Sequence, residues 1–303
     1  MDRAKPFLKW AGGKNQLLKQ FDNYYPDELH QGKIEKYIEP FVGGGAVFFE
    51  IIQKYNVAHS YISDINKNLI LTYIVIQKKI FKLLEFLDKY QKQYQNLEEE
   101  QRKPLFLSIR EDFNSQQSKI NYKKLSDKWV TVAAQLIFLN KTCFNGLFRL
   151  NSKGEFNVPF GKYKNPNILD MDNLILASKI LQNTEIVIAD YKSCFKIADE
   201  KTFIYFDPPY RPISKTSNFT NYSAFGFTDK EQIKLSNFFK KLDTEKSAKL
   251  MLSNSDPKNE NTDDIFFEKL YDGYKFNRVY ANRMINCNGK KRGQVSELVI
   301  TNY

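Results

Sequence analysis

Residues 36–52 constrain the fold of this chain most strongly. Lys36-Tyr37-Ile38-Glu39-Pro40-Phe41 reads as a short buried strand, Val42-Gly43-Gly44-Gly45 as a glycine turn, and Ala46-Val47-Phe48-Phe49-Glu50-Ile51-Ile52 as the helix that follows. A strand that feeds a helix through a glycine turn opens a nucleotide-type α/β sheet, whose ligands bind outside the carboxyl ends of the strands. Gly43 and Gly45 fit G-x-G, but Phe48 stands where a dinucleotide fingerprint has its third glycine. That departure disfavours a pyrophosphate. The next strand, residues 59–63, ends in Asp64, about 20 residues past the glycines, the distance at which a strand-tip acid accepts hydrogen bonds from ribose hydroxyls. Together these features suit an adenosine without phosphates.

A later strand tip points to a reaction. The apolar run Thr202-Phe203-Ile204-Tyr205-Phe206 delivers Asp207-Pro208-Pro209-Tyr210. An exocyclic purine amine is a poor nucleophile because its lone pair is delocalised into the ring. Two acceptors aimed at its two N–H bonds favour the pyramidal form; the Asp207 carboxylate and the Pro208 carbonyl supply them, and the prolines fix φ without adding a competing donor. Tyr210 offers a face on which a base can stack. Taken alone, the tetrapeptide also reads as a rigid turn with a solvated acid.

Between residues 75 and 184 the strand period disappears. Helical patterns occupy 80–95, the polar 96–103, and 126–141, which predicts an inserted, mainly helical module. Glu98-Glu99-Glu100 has the wrong sign for a DNA contact and reads as a solvated face. Residues 143–163 change to glycine, asparagine and aromatic side chains, which suits a β-hairpin turning at Lys153-Gly154. A two-stranded ribbon fits the major groove, where Arg149 can offer paired donors to guanine O6 and N7. Ordinary hairpin packing is the alternative for Phe144 and Leu147.

The chain has 303 residues, with 46 basic against 35 acidic side chains and a formal charge of +11. A polyanion is a natural partner for such a surface, though a soluble protein can also simply be basic. Three scattered cysteines and two histidines speak against a zinc site and fit a reducing compartment. No signal-peptide pattern and no apolar stretch near the roughly 20 residues needed to span a bilayer are present, which points to the cytoplasm.

Phe7-Leu8-Lys9-Trp10-Ala11-Gly12-Gly13-Lys14, Glu39 to Gly45, Asp64, Phe144-Asn145-Gly146-Leu147-Phe148-Arg149, Glu155 to Tyr163, Asp207 to Tyr210 and Ser217 to Tyr222 resemble the Dam family of DNA adenine-N6 methyltransferases. The motif order is that of the alpha group. The likeness runs over nearly the whole chain and is greatest to modification enzymes of DpnII-type restriction systems. It implies a Rossmann-like S-adenosylmethionine-dependent methyltransferase domain, residues 1–75 and 165–303, with an inserted recognition domain, 76–164, carrying the hairpin 143–163. It further implies base flipping of the adenine of 5′-GATC in duplex DNA and direct methyl transfer to N6, with no metal, and a cognate restriction endonuclease acting on the same site as a possible partner.

Position by position, the resemblance gives Asp207, Pro208 and Tyr210 catalytic roles. It assigns Trp10, Lys14, Phe41, Gly43, Gly45, Asp64, Asp190 and Asp207 to the cofactor, although Asp190 reads equally as the N-cap of a helix starting near Lys192. It assigns Lys14, Phe144, Asn145, Leu147, Arg149, Pro159, Tyr163, Ser217 and Asn218 to DNA, with Phe144 in an aromatic wedge position usually held by tyrosine. Lys290-Lys291-Arg292 reads as a phosphate contact or as solvated surface. Two other readings stay open: an RNA or protein-glutamine methyltransferase, and a DNA-binding protein without catalysis.

Overall fold

The computed structural model describes residues 3–211, 227–282 and 294–303. Its strands are β1 (Lys36–Glu39), β2 (His59–Asp64), β3 (Thr184–Ile188), β4 (Thr202–Phe206), β5 (Lys249–Ser255), β6 (Lys275–Asn282) and β7 (Gln294–Thr301). They form a seven-stranded sheet in the order β3-β2-β1-β4-β5-β7-β6. The chain divides into two compact units, one built from Met1–Gly13, Gly43–Phe49 and Asp64–Ile188, the other from Lys14–Val42, Glu50–Ser63 and Ala189–Tyr303.

In the second unit, β1 lies between two parallel neighbours, so that Ile38 is in register with Tyr61 of β2 on one side and Ile204 of β4 on the other. β4 continues parallel to β5, with Ile204 opposite Leu250. Every residue of β4 is buried, as a central parallel strand covered on both faces requires. β7 then pairs antiparallel with both β5 and β6. The chain leaves β1 toward β2 and leaves β4 toward β5, in opposite directions along the sheet. The strand order therefore switches between β1 and β4, where an open sheet leaves a crevice outside the carboxyl ends of its strands. Phe41 follows the end of β1 and Asp207 follows the end of β4.

The first unit is mainly helical. Its central helix, Asp127–Thr142, is buried along most of its length and packs against Lys67–Lys78, Ile80–Asn96 and Glu99–Gln117. The sequence pattern ended its polar segment at Lys103, yet that helix continues through Pro104 to Gln117. Buried Phe106, Ile109 and Phe113 explain the continuation, because their spacing places them on one face. No described helix is long and apolar enough to cross a membrane.

Residues 143–163 fold back on themselves without forming continuous strands. Antiparallel bridges join only Cys143 to Phe160 and Leu150 to Phe156. A 3-10 turn, Phe144–Gly146, interrupts the first arm, with Asn145 at φ 57° and Gly146 at φ 64°. At the far end Gly154, at φ 78°, donates to the Asn151 carbonyl at 2.9 Å.

The glycine turn of the first unit is packed too closely to admit a side chain. Gly45 has φ +74°, and a Cβ there would lie 2.5 Å from the Tyr73 hydroxyl. Gly45→Ala is expected to lower stability by roughly 1–3 kcal/mol through backbone strain alone, with the contact adding to it. Because Tyr73→Phe itself removes the hydrogen bond that the Tyr73 hydroxyl donates to the Gly43 carbonyl at 3.1 Å, the steric part is read from a double-mutant cycle: Gly45→Ala should cost less in the Tyr73→Phe background than in wild type, each from urea midpoints. An unchanged midpoint for Gly45→Ala alone would contradict this packing.

Candidate active site

Asp207 is held from two sides at the tip of β4. Lys14 Nζ lies 2.9 Å from Oδ2, and Ser253 Oγ, from the adjacent strand β5, donates to Oδ1 at 3.0 Å. The Tyr205 hydroxyl is 2.7 Å from Ser253 Oγ; with the Ser253 proton committed to Asp207, Tyr205 is the donor in this pair. Burial raises the Asp207 carboxyl above the ordinary range, Lys14 opposes the rise, the Glu297 charge adds to it, and Ser253 pulls it back. One-fifth of the Asp207 side chain is exposed, against 3% of Lys14, so the carboxylate is the accessible end of the pair.

Lys14 also lies beneath Tyr210, its Nζ 4.6 Å from the ring centroid. The Tyr210 hydroxyl donates to Glu297 of β7, and burial, with the Glu297 charge next, pushes this phenol well above its ordinary pKa. The turn between these groups is braced from below. Buried Gln232 donates to the Pro209 carbonyl at 3.1 Å and accepts from Asn254 at 3.2 Å. Asn254 Oδ1 accepts from Arg211 N, and Ser255 Oγ donates to the Arg211 carbonyl. The Arg211 guanidinium reaches Asp229 and Asp264 at 2.9 and 2.7 Å over the face of Phe266.

At the other strand tip Phe41 stacks on Tyr191, with centroids 5.5 Å apart, and meets Phe227 edge-on. Asp190 is exposed, and its Oδ1 accepts from Lys192 N at 2.9 Å as the cap of the 3-10 turn Tyr191–Lys196. The capping role anticipated from sequence is therefore present, and it engages one carboxylate oxygen.

Within the first unit the glycine turn meets Trp10 and Asp64. A Cβ on Gly43, at φ +46°, would lie 2.9 Å from Trp10 Cδ1, so only glycine leaves the indole edge this close. Gly43 N donates to Asp64 Oδ2 at 3.2 Å, and Asn66 N donates to Oδ1 at 2.8 Å. Burial pushes the Asp64 carboxyl up to about 6 against these backbone donors. The Trp10 ring stacks on Phe148, with centroids 5.0 Å apart.

Two asparagines hold the segment 143–163 in the same unit. Buried Asn140 accepts from Lys9 N and donates to the carbonyls of Lys9 and Gly146, each at 2.9 Å. Asn114 binds the backbone of Phe156 through both its N–H and its carbonyl. Phe148, Phe156 and Val158 turn inward, whereas Phe144, Asn145, Arg149 and Pro159 are exposed and Leu147 and Tyr163 half-buried. Four of the residues singled out for DNA are thus exposed in this segment. Lys14 differs, since it is buried against Asp207 in the second unit. Ser217, Asn218 and the 290–292 run lie outside the described residues.

Sequence reasoning missed Ser253, Glu297, Gln232, Asn254, Asn140 and Asn114. None of them stands in a motif, and the polar Ser253-Asn254-Ser255 step reads locally as a loop although it is the second half of β5.

A family model described as D12 class N6 adenine-specific DNA methyltransferase matches residues 10–285. Over 301 residues the chain is 49% identical to the type II methyltransferase M.MjaIII of Methanocaldococcus jannaschii, covering 99% of each chain. It is 36% identical over 301 residues to the type II methyltransferase M1.LlaDCHI of Lactococcus lactis subsp. cremoris, covering 99% of this chain and 95% of the relative. It is 32% identical to the DNA adenine methylase of Escherichia coli (strain K12) over 301 residues, with coverage of 99% and 95%. Since the match runs through both the glycine turn and the Asp207 strand tip, the chain belongs to the D12 class of N6 adenine-specific DNA methyltransferases.

Proposed function

We propose that the protein flips the adenine of 5′-GATC out of duplex DNA and transfers a methyl group to its N6 from S-adenosylmethionine. The observation that carries this reading is the Asp207 carboxylate, partly exposed at the β4 tip and fixed by Lys14 and Ser253. Asp207 and the Pro208 carbonyl accept the two N–H bonds of the amine, which concentrates the lone pair for transfer. Tyr210, restrained by Glu297 and Lys14, is the stacking face for the flipped base.

The residues at the glycine turn and at the strand tips fit a nucleoside. Asp64 is an acceptor for ribose hydroxyls, and Gly43 and Gly45 keep the turn close to Trp10 and Tyr73. Phe41 offers an aromatic face, Asp190 an exposed acid, and Lys14 holds Asp207. These residues, with Trp10, are assigned to S-adenosylmethionine, which when bound supplies an electrophilic methyl group on sulfonium.

Residues 76–164 are assigned to target recognition and residues 1–75 and 165–303 to catalysis. Phe144 is the wedge at the flipped adenine, Arg149 reads a guanine, and Asn145, Leu147, Pro159 and Tyr163 complete the contact surface with Ser217 and Asn218. The relatives named type II methyltransferases favour a partner endonuclease that acts on the same site.

Incubation with labelled S-adenosylmethionine and duplexes that differ only in GATC or GTTC tests the whole reading. Label in the first alone is expected, and equal label in both would remove the site assignment. Arg149→Ala should relax recognition at one guanine by about 1–3 kcal/mol of discrimination. Unchanged selectivity in kcat/KM across substituted sites would contradict that role.

The Asp64 assignment makes a pH prediction. Its folded-state carboxyl titrates near 6, so below that value the protonated form predominates and must ionise before it can accept from two hydroxyls. Cofactor affinity should fall as pH drops below 6, approaching about tenfold per unit, and Asp64→Asn should bind weakly with a flat profile. Wild-type affinity that is constant from pH 5 to 7 by calorimetry would contradict the assignment.

A further inference from the structure

We propose that Asn157 is a positioning residue for guanine recognition, holding the Arg149 guanidinium in the orientation that reads the base. The inference rests on the GATC reading above and extends it to a residue that contacts no base in that reading. Arg149 is exposed and its side chain would otherwise sample many rotamers. Instead its Nε donates to Asn157 Oδ1 at 2.9 Å and its Nη2 donates to the Asn157 carbonyl at 3.4 Å. The backbone closes the arrangement, since Asn157 N donates to the Arg149 carbonyl at 3.2 Å.

These bonds use the Nε/Nη2 edge of the guanidinium and leave the outer fork, one N–H of Nη1 and the second N–H of Nη2, for two parallel bonds to guanine O6 and N7. Asn157 is itself fixed. Its neighbour Phe156 is clamped through N–H and carbonyl by Asn114 at 2.8 and 3.1 Å, and the flanking Phe156 and Val158 side chains are buried. The orientation of Arg149 is therefore inherited from the helix Glu99–Gln117, on which Asn114 sits. An arginine ordered before binding loses less rotamer freedom when it meets its base, and that saving is realised only where the guanine accepts both bonds.

The test measures kcat/KM for wild type, Arg149→Ala, Asn157→Ala and Asn157→Asp on GATC and on duplexes with one substituted base pair each. Arg149→Ala should relax discrimination at one guanine. Asn157→Ala should relax it at the same position by about three- to tenfold, with the other positions unchanged. Asn157→Asp keeps the acceptor for Nε, so its discrimination should stay near wild type while added negative charge weakens DNA binding for all duplexes alike. If Arg149→Ala relaxes one position and Asn157→Ala lowers kcat/KM equally on every duplex, Asn157 is a general DNA contact and the proposal fails alone. If Arg149→Ala leaves discrimination intact, the GATC reading of Arg149 fails and this inference falls with it.

Discussion

The ion pair between Lys14 and Asp207 is the interaction on which the arrangement at the β4 tip depends. A carboxylate at the end of a fully buried strand is costly to ionise, and burial does raise the Asp207 carboxyl. Lys14 offsets that cost from one side and Ser253 from the other, which fixes both oxygens and leaves the exposed part of the group facing outward. Because the same ammonium lies under Tyr210, whose hydroxyl is tied to Glu297, one lysine contacts both the Asp207 carboxylate and the Tyr210 ring, the two groups proposed to act on the adenine. A buried pair of this kind contributes little net stability, so its value here is in orientation.

The sheet makes this placement possible. The order switches between β1 and β4, and β5 and β7 bring Ser253 and Glu297 to the same end through their registers. In the first unit the equivalent economy is made with asparagine. Asn140 satisfies three backbone groups of Lys9 and Gly146, and Asn114 two of Phe156, so segments that form no regular ladder are still held in place. A loop fixed by side-chain amides presents Phe144 and Arg149 outward without the continuous strands that their spacing had implied.

The parts of the fold legible in the sequence were those with a strong period or a steric requirement. β1, β2 and β4 were legible as short strands leading to Phe41, Asp64 and Asp207, although β1 itself stops at Glu39, and the positive φ of Gly43 and Gly45 answers to the glycine turn. β5 was hidden because its second half, Ser253-Asn254-Ser255, is polar and buried, a pattern that resembles a loop until its partners Asp207, Gln232 and Arg211 are known. Pro104 concealed the length of its helix, since proline in sequence reads as a stop. Glu297 and Asn157 could not be found locally, because each is defined by a residue brought to it by strand pairing or by chain reversal.

The most direct measurement is single-turnover methyl transfer to a GATC duplex by Asp207→Asn, with cofactor and DNA binding measured on the same preparation. Asparagine keeps the size of the group and one acceptor while removing the charge that Lys14 holds in place. Binding of both ligands close to wild type with transfer slowed by about a hundredfold or more would support a carboxylate that acts on the reacting amine. Transfer near the wild-type rate would contradict it and leave Asp207 as a structural partner of Lys14.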